Sequence, residues 1–155
     1  MSNLRRELVV AKRYRLGLWR RLANAAIKGL LRVGLGPRHT YLLTVPGRRT
    51  GRLYSTPVTL VEDGGQRWLV APYGEVGWVG NARTSREVTL SRGRRLERVV
   101  LFDVEPMEAA AVLKRYVAQV PITRPFFAVT RASSLEAFAA EAVRHPVFRL
   151  VREDE

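Results

Sequence analysis

Cysteine is absent from this 155-residue chain, which excludes disulfides and thiolate chemistry. The only two histidines, His39 and His145, lie far apart and in no metal-ligand spacing, so no metal site is expected. There is no Gly-x-Ser-x-Gly elbow, P-loop or Gly-x-Gly-x-x-Gly fingerprint. Long uncharged apolar runs are also missing. Nothing approaches the ~18–20 residues of a spanning helix, and charges interrupt each apolar stretch before a cleavage-like site, so neither a membrane span nor a secretory signal is expected. Acidic residues are scarce, at 14 against 27 basic ones. What is present, 46% hydrophobic and 26% charged residues, is ordinary globular usage in a length suited to one domain.

The net charge of +13 is unevenly spread. Residues 1–40 carry ten basic residues against Glu7 alone, and 24 of the 27 basic residues are arginine. That arginine bias also fits a skewed genome composition, which weakens inference from the total. The periodicity predicts a helix from about Leu4 to Val33, with Leu4, Leu8, Ala11, Leu18, Trp19, Leu22, Ala26, Leu30 and Val33 on one side. Arg6, Arg13, Arg20, Arg21, Lys28 and Arg32 occupy the other. Three roles fit: a helix packing Leu8, Leu18, Trp19 and Leu22 on the body, an interfacial helix on anionic membrane, or a phosphate-contacting face for nucleic acid. The last is disfavoured, because no recognition-helix or base-stacking motif accompanies it.

From Thr40 the period changes to that of strands. Strands are predicted at Thr40–Pro46, Arg52–Glu62, Gln66–Ala71, Glu87–Ser91, Arg94–Val104 and Val147–Val151, with turns at Asp63-Gly64-Gly65 and Arg92-Gly93. Pro106 opens a helix with Ala109, Val112, Leu113 and Tyr116 at helical spacing. Pro121–Thr130 reads as an irregular loop, and Ser133 or Ser134 caps a helix to about Arg144. The chain is therefore α+β: an antiparallel β-core, best closed as a small barrel, with peripheral helices. The expected organisation is a basic helical segment over 1–38 and a barrel domain over 39–155.

Two stretches carry chemistry. Between the first strands, Gly47-Arg48-Arg49-Thr50-Gly51 places two guanidiniums and a hydroxyl between glycines, with Arg52 beyond, as a cradle for an anion; a hairpin with a solvated basic tip is the bland alternative. Ala71–Arg83 leaves a strand, passes Pro72, Gly74 and Gly77, and enters a short turn with Trp78 and Asn81. Small residues beside a tryptophan let a flat ligand approach the backbone, with Asn81 for a heterocycle edge and Arg83 for an anion. The alternative is a core tryptophan and a turn asparagine bonding backbone.

Gly47–Gly51, Ser55-Thr56-Pro57, Asp63-Gly64-Gly65, Trp78-x-x-Asn81 and Glu87-Val88, in this order and spacing, resemble the deazaflavin-dependent nitroreductase family over about Thr40–Leu101. The resemblance implies a split β-barrel of the flavin-reductase, FMN-binding type and the cofactor coenzyme F420, an 8-hydroxy-5-deazaflavin with a phosphate and oligoglutamate tail; FMN is the less favoured cofactor. It implies that Gly47, Arg48, Arg49, Thr50 and Arg52 hold the tail. Ser55, Thr56, Pro57 and Val58 would line the ring and ribityl portion. Ala71, Pro72 and Tyr73 would cover the ring, with Gly77, Trp78, Val79 and Asn81 closing the pocket. Tyr73 and Tyr116 are the candidate proton donors.

The chain departs from the family pattern at Arg49, where lysine is common, at Pro72-Tyr73-Gly74-Glu75, and at Val79-Gly80, where an aromatic is lost. These departures bear on substrate. The implied activity is hydride transfer from the reduced deazaflavin to a quinone, nitro compound or activated alkene, with a small hydrophobic acceptor as partner. The alternative is a non-catalytic deazaflavin- or lipid-binding protein of the same fold. A homodimer and a cytoplasmic protein peripheral to the inner membrane face, through residues 4–33, complete the expectations.

Overall fold

The structure, a computed structural model, describes residues 21–153. Six antiparallel strands, β1 (Thr40–Pro46), β2 (Leu53–Asp63), β3 (Gln66–Val70), β4 (Glu87–Arg92), β5 (Arg95–Asp103) and β6 (Val147–Arg152), close into a barrel in the order β1-β2-β3-β6-β5-β4. Closure follows from patterning. Each strand alternates, and its inward set is apolar: Leu43 and Val45, Val58 and Leu60, Leu69, Val88 and Leu90, Val99 and Leu101, Phe148 and Leu150 form one interior cluster. The interior of a closed barrel leaves none of these faces to water, and closure pairs most of the strand edges around the circuit.

A second core lies outside the barrel. Val61, Trp68, Val70 and Val147 point outward from the strands. They are covered by helix α3 (Pro106–Gln119) and by Phe138 of the short helix α4 (Leu135–Glu141). Pro106 starts α3 as the sequence predicts. Ser134 caps α4, its Oγ accepting from the Ala137 amide at 3.2 Å, and α4 ends three residues before the predicted Arg144. Residues Pro121–Phe126, predicted as irregular, form a 3-10 turn.

Two differences matter for the site. Gly77–Ser85, read from the sequence as a short turn, is a helix, α2. Its two glycines and uncapped N-terminus give little intrinsic helicity. Burial of Val79 and Ala82, both without solvent exposure, in the end of the barrel supplies the stabilisation. Residues 21–32 form the described part of the N-terminal helix, α1; the predicted residues 4–20 lie outside the described residues. Within α1 the buried side chain is Leu31, whereas Leu22, which one of the three readings packs on the body, is 57% exposed, and Leu30 and Val33 are exposed with it. Among the described residues no helix is long and apolar enough to cross a membrane.

Strand β2 outruns β3. Its pairing with β3 begins only at Leu60, while its pairing with β1 runs from Leu53 to Thr59. The barrel is split along this half of β2. Pro57, which has no amide to donate, falls where only one neighbour needs one.

Candidate functional site

The β1–β2 turn, the loop after β3 and α2 meet at the same end of the barrel as this split. The turn closes on itself through the Gly47 amide to Arg52 O at 2.7 Å and the Gly51 amide to Gly47 O at 2.9 Å. Gly51 has φ +74°, a region open to glycine at no cost. At Gly47 a Cβ would stand 2.9 Å from the Tyr54 ring and 3.2 Å from Arg52 O, so a side chain there would have to displace the Tyr54 ring and crowd the turn's backbone.

Asn81 organises this end. It is buried, and its Oδ1 accepts from the Arg48 backbone amide at 3.1 Å and from the Arg48 guanidinium at 2.8 Å. The same guanidinium nitrogen donates to Gly77 O at 3.2 Å. Arg48 thus lies across the first turn of α2, over Gly80, where a Cβ would meet Nη1 at 2.9 Å. Among the described residues every acceptor of Arg48 is neutral, so none of them compensates its charge. Arg49 and Arg52 are exposed and, among the described residues, pair with no carboxylate. The Thr50 hydroxyl accepts from the Arg52 amide at 3.3 Å. Three guanidiniums with no counter-ion among the described residues, one of them locked in place, form a donor set suited to a multiply charged anion.

The remaining candidate residues divide. The pleat sends Thr56 and Val58 to one face of β2 and Ser55 and Pro57 to the other. Val58 is buried in the barrel interior, and Ser55 Oγ meets Thr44 Oγ at 2.9 Å. Ala71 and Val79 are fully buried in the interior and hold the loop and α2 to the barrel. Trp78 packs partly buried against the same cluster. Pro72, Gly77 and Tyr73 remain at the surface of this end, Tyr73 with its ring edge-on to Phe126 at 4.8 Å. Tyr116 is 3% exposed in the outer core beside Phe127, and burial pushes its hydroxyl well above the usual tyrosine range. Arg83, read from the sequence as an anion partner, is instead tied to Glu75 at 2.9 Å and Asp103 at 3.3 Å, over the Phe148 ring.

Gly80 was not among the residues singled out from the sequence. The clash it avoids is with a side chain 32 positions earlier, and no local signal carries that.

The model of the F420H(2)-dependent quinone reductase family matches residues 19–130. The chain belongs to this family. Family members are F420H2-dependent reductases, and coenzyme F420 is therefore the cofactor. A search of curated proteins returns no match. Among solved structures, one described as a domain-swapped dimer is 18% identical, with 91% of this chain and 99% of that one covered at a TM-score of 0.55. A protein of unknown function from Agrobacterium tumefaciens is 17% identical at a TM-score of 0.54, with 83% of this chain and 54% of that one covered. An F420-H2 dependent reductase, FDR-A, is 20% identical at 0.49, with 74% and 95% covered. The first two share the barrel fold.

The donor set fits the cofactor's anionic tail. Arg48, Arg49, Arg52 and Thr50 offer fixed charge and a hydroxyl, and the Gly51 and Gly77 positions open onto space with no heavy atom within 4 Å of where a Cβ would stand.

Proposed function

We propose that this protein reduces a quinone, with coenzyme F420 held in the split of the barrel by the Gly47–Gly51 turn. When bound, the reduced deazaflavin supplies a hydride from its C5 position. The protein's share is placement and charge. Arg48, fixed by Asn81, and the unpaired Arg49 and Arg52 hold the phosphate and carboxylates of the tail. The outer edge of β2 at Ser55 and Pro57, with Pro72, Tyr73 and Gly77, borders the ring. A quinone accepts a hydride at one oxygen and a proton at the other, and the Tyr73 hydroxyl is the better placed donor. It stands at the site's surface, whereas Tyr116 is enclosed in the outer core.

The observation that carries this reading is the uncompensated arginine turn locked onto α2. Nitro compounds and activated alkenes accept a hydride by the same chemistry and are tested beside quinones. We further propose that α1 rests on an anionic membrane surface, where lipophilic quinones partition: Leu22, Leu30 and Val33 are exposed next to Arg21 and Arg32.

The test is steady-state oxidation of reduced F420 with menadione, a nitroaromatic and an enone as acceptors. Turnover fastest with the quinone supports the proposal. Tight F420 binding without turnover on any acceptor would instead establish the carrier reading. Co-sedimentation with anionic liposomes at low salt tests the membrane contact, and no pelleting removes it.

A further inference from the structure

The barrel's other end carries a cavity of about 760 Å³, within the range of small-molecule sites. It faces away from the Gly47–Gly51 turn, since β1 runs from one end to the other and the β4–β5 turn lies beside Thr40. Six of its eleven lining residues are arginine and two are glutamate. Glu97 is already engaged. It takes a two-point contact from Arg67 at 2.5 and 3.1 Å and a third from Arg152 at 3.1 Å.

Of the arginines that remain, Arg98 reaches Glu87 at 3.6 Å, while the other three, like Glu153 in the same lining, form no ion pair among the described residues. Arg92 donates only to backbone carbonyls, of Gly36, Pro37 and Thr40, at 2.7 to 3.0 Å. Arg94 and Arg95 are exposed and, among the described residues, meet no carboxylate within salt-bridge distance. Tyr41, Leu90 and Leu96 give the cavity an apolar wall, with Leu96 70% exposed. Fixed positive charge at the mouth of a low-dielectric cavity attracts and concentrates anions. The chain offers no complement of its own among its first twenty residues, which hold six basic side chains and only Glu7.

We propose that this mouth is a second ligand site, separate from the cofactor's, which binds a phosphate group through Arg94, Arg95 and Arg92, with any apolar portion against Tyr41 and Leu96. The phosphate can belong to a free small molecule or to a lipid headgroup, and both are offered in the test. Arginine's planar fork suits this group better than a lysine charge would.

The experiment uses the full chain with Arg49→Ala and Arg52→Ala, which weakens anion binding at the cofactor turn. Inorganic pyrophosphate and, separately, dihexanoyl phosphatidic acid below its micellar concentration are titrated by calorimetry. One-to-one binding is expected, weakened tenfold or more when Arg94→Ala and Arg95→Ala are added. Both are exposed, and an unchanged melting temperature verifies that the fold is kept. Equal affinity for the two probes assigns the site to free phosphates. Tenfold preference for the lipid assigns it to a headgroup. No binding of either probe, or binding indifferent to Arg94 and Arg95, overturns the proposal. Because F420 is absent from the titration, the outcome is independent of whether the cofactor turn binds it.

Discussion

Two groups of arginines, one at each end of the barrel, are used in opposite ways. At the α2 end, Arg48 is held by an amide oxygen and a carbonyl, and Arg49 and Arg52 by nothing charged among the described residues. At the other end Arg67 and Arg152 converge on Glu97. A guanidinium held by neutral acceptors keeps its charge available to a ligand; one held by a carboxylate mostly stabilises the protein. The difference teaches that arginine count says little about binding until the partner of each side chain is known.

The contrast can be broken first at the α2 end. Replacing Arg49 and Arg52 together by alanine should weaken F420 binding on the order of 100-fold, since each lost charge-assisted contact is worth about 1.5–3 kcal/mol. Thermal stability should stay within about 0.5 kcal/mol, because neither side chain has an ion-pair partner to lose among the described residues. Fluorescence titration with F420 and a melting curve check both halves, and a large loss of stability would erase the contrast.

Glu97→Gln should give the reverse pattern. A loss of about 2 kcal/mol is expected from leaving Arg67 short of its charged partner, with F420 affinity unchanged. The hydrogen bond from Arg67 holds the Glu97 carboxyl below its ordinary value of 4.5. Its contribution is therefore complete above the unfolded-state value and is lost as pH falls through the lower, folded one. The wild-type protein should lose stability as pH falls below about 4.5, and the variant should show a shallower acid limb in denaturant melts.

Asn81→Ala joins the two kinds of effect. It removes the acceptor of both Arg48 bonds, costing about 1–2 kcal/mol, and it frees the guanidinium to move. Chemical denaturation and F420 titration should both shift, the latter by several-fold. The smallest stability change belongs to Gly80→Ala. Alanine favours the helix by up to ~1 kcal/mol, and the displaced group is the mobile end of Arg48. Stability should hold or rise while F420 affinity falls. Unchanged affinity would show that the pose of Arg48 over α2 is not needed.

Much of this molecule was legible in its sequence, for reasons local to each segment. Strand β1 was read as Thr40–Pro46 and is found there, because alternating apolar residues between a threonine and a proline admit little else. Pro106 announced α3 by its fixed φ. The basic turn was legible because glycines bracket it. Helix α2 was not: Gly77 and Gly80 argue against a helix, and the burial that overrides them comes from the barrel's end. Nor could the sequence separate Arg83, spent on Glu75 and Asp103, from Arg49, which pairs with no carboxylate among the described residues.

By itself, then, the sequence determined the barrel and the position of the arginine turn, since alternation, proline and glycine act over a few residues at a time. Only the tertiary structure decided which arginines retain their charge. Arg48 is set by Asn81, 33 residues on, and Glu97 by Arg67 and Arg152, 30 and 55 residues away. The second, arginine-rich mouth exists only because β1, β3, β4, β5 and β6 end together when the barrel closes. Coulomb interactions act through space, and proximity between distant segments appears only when the chain has folded.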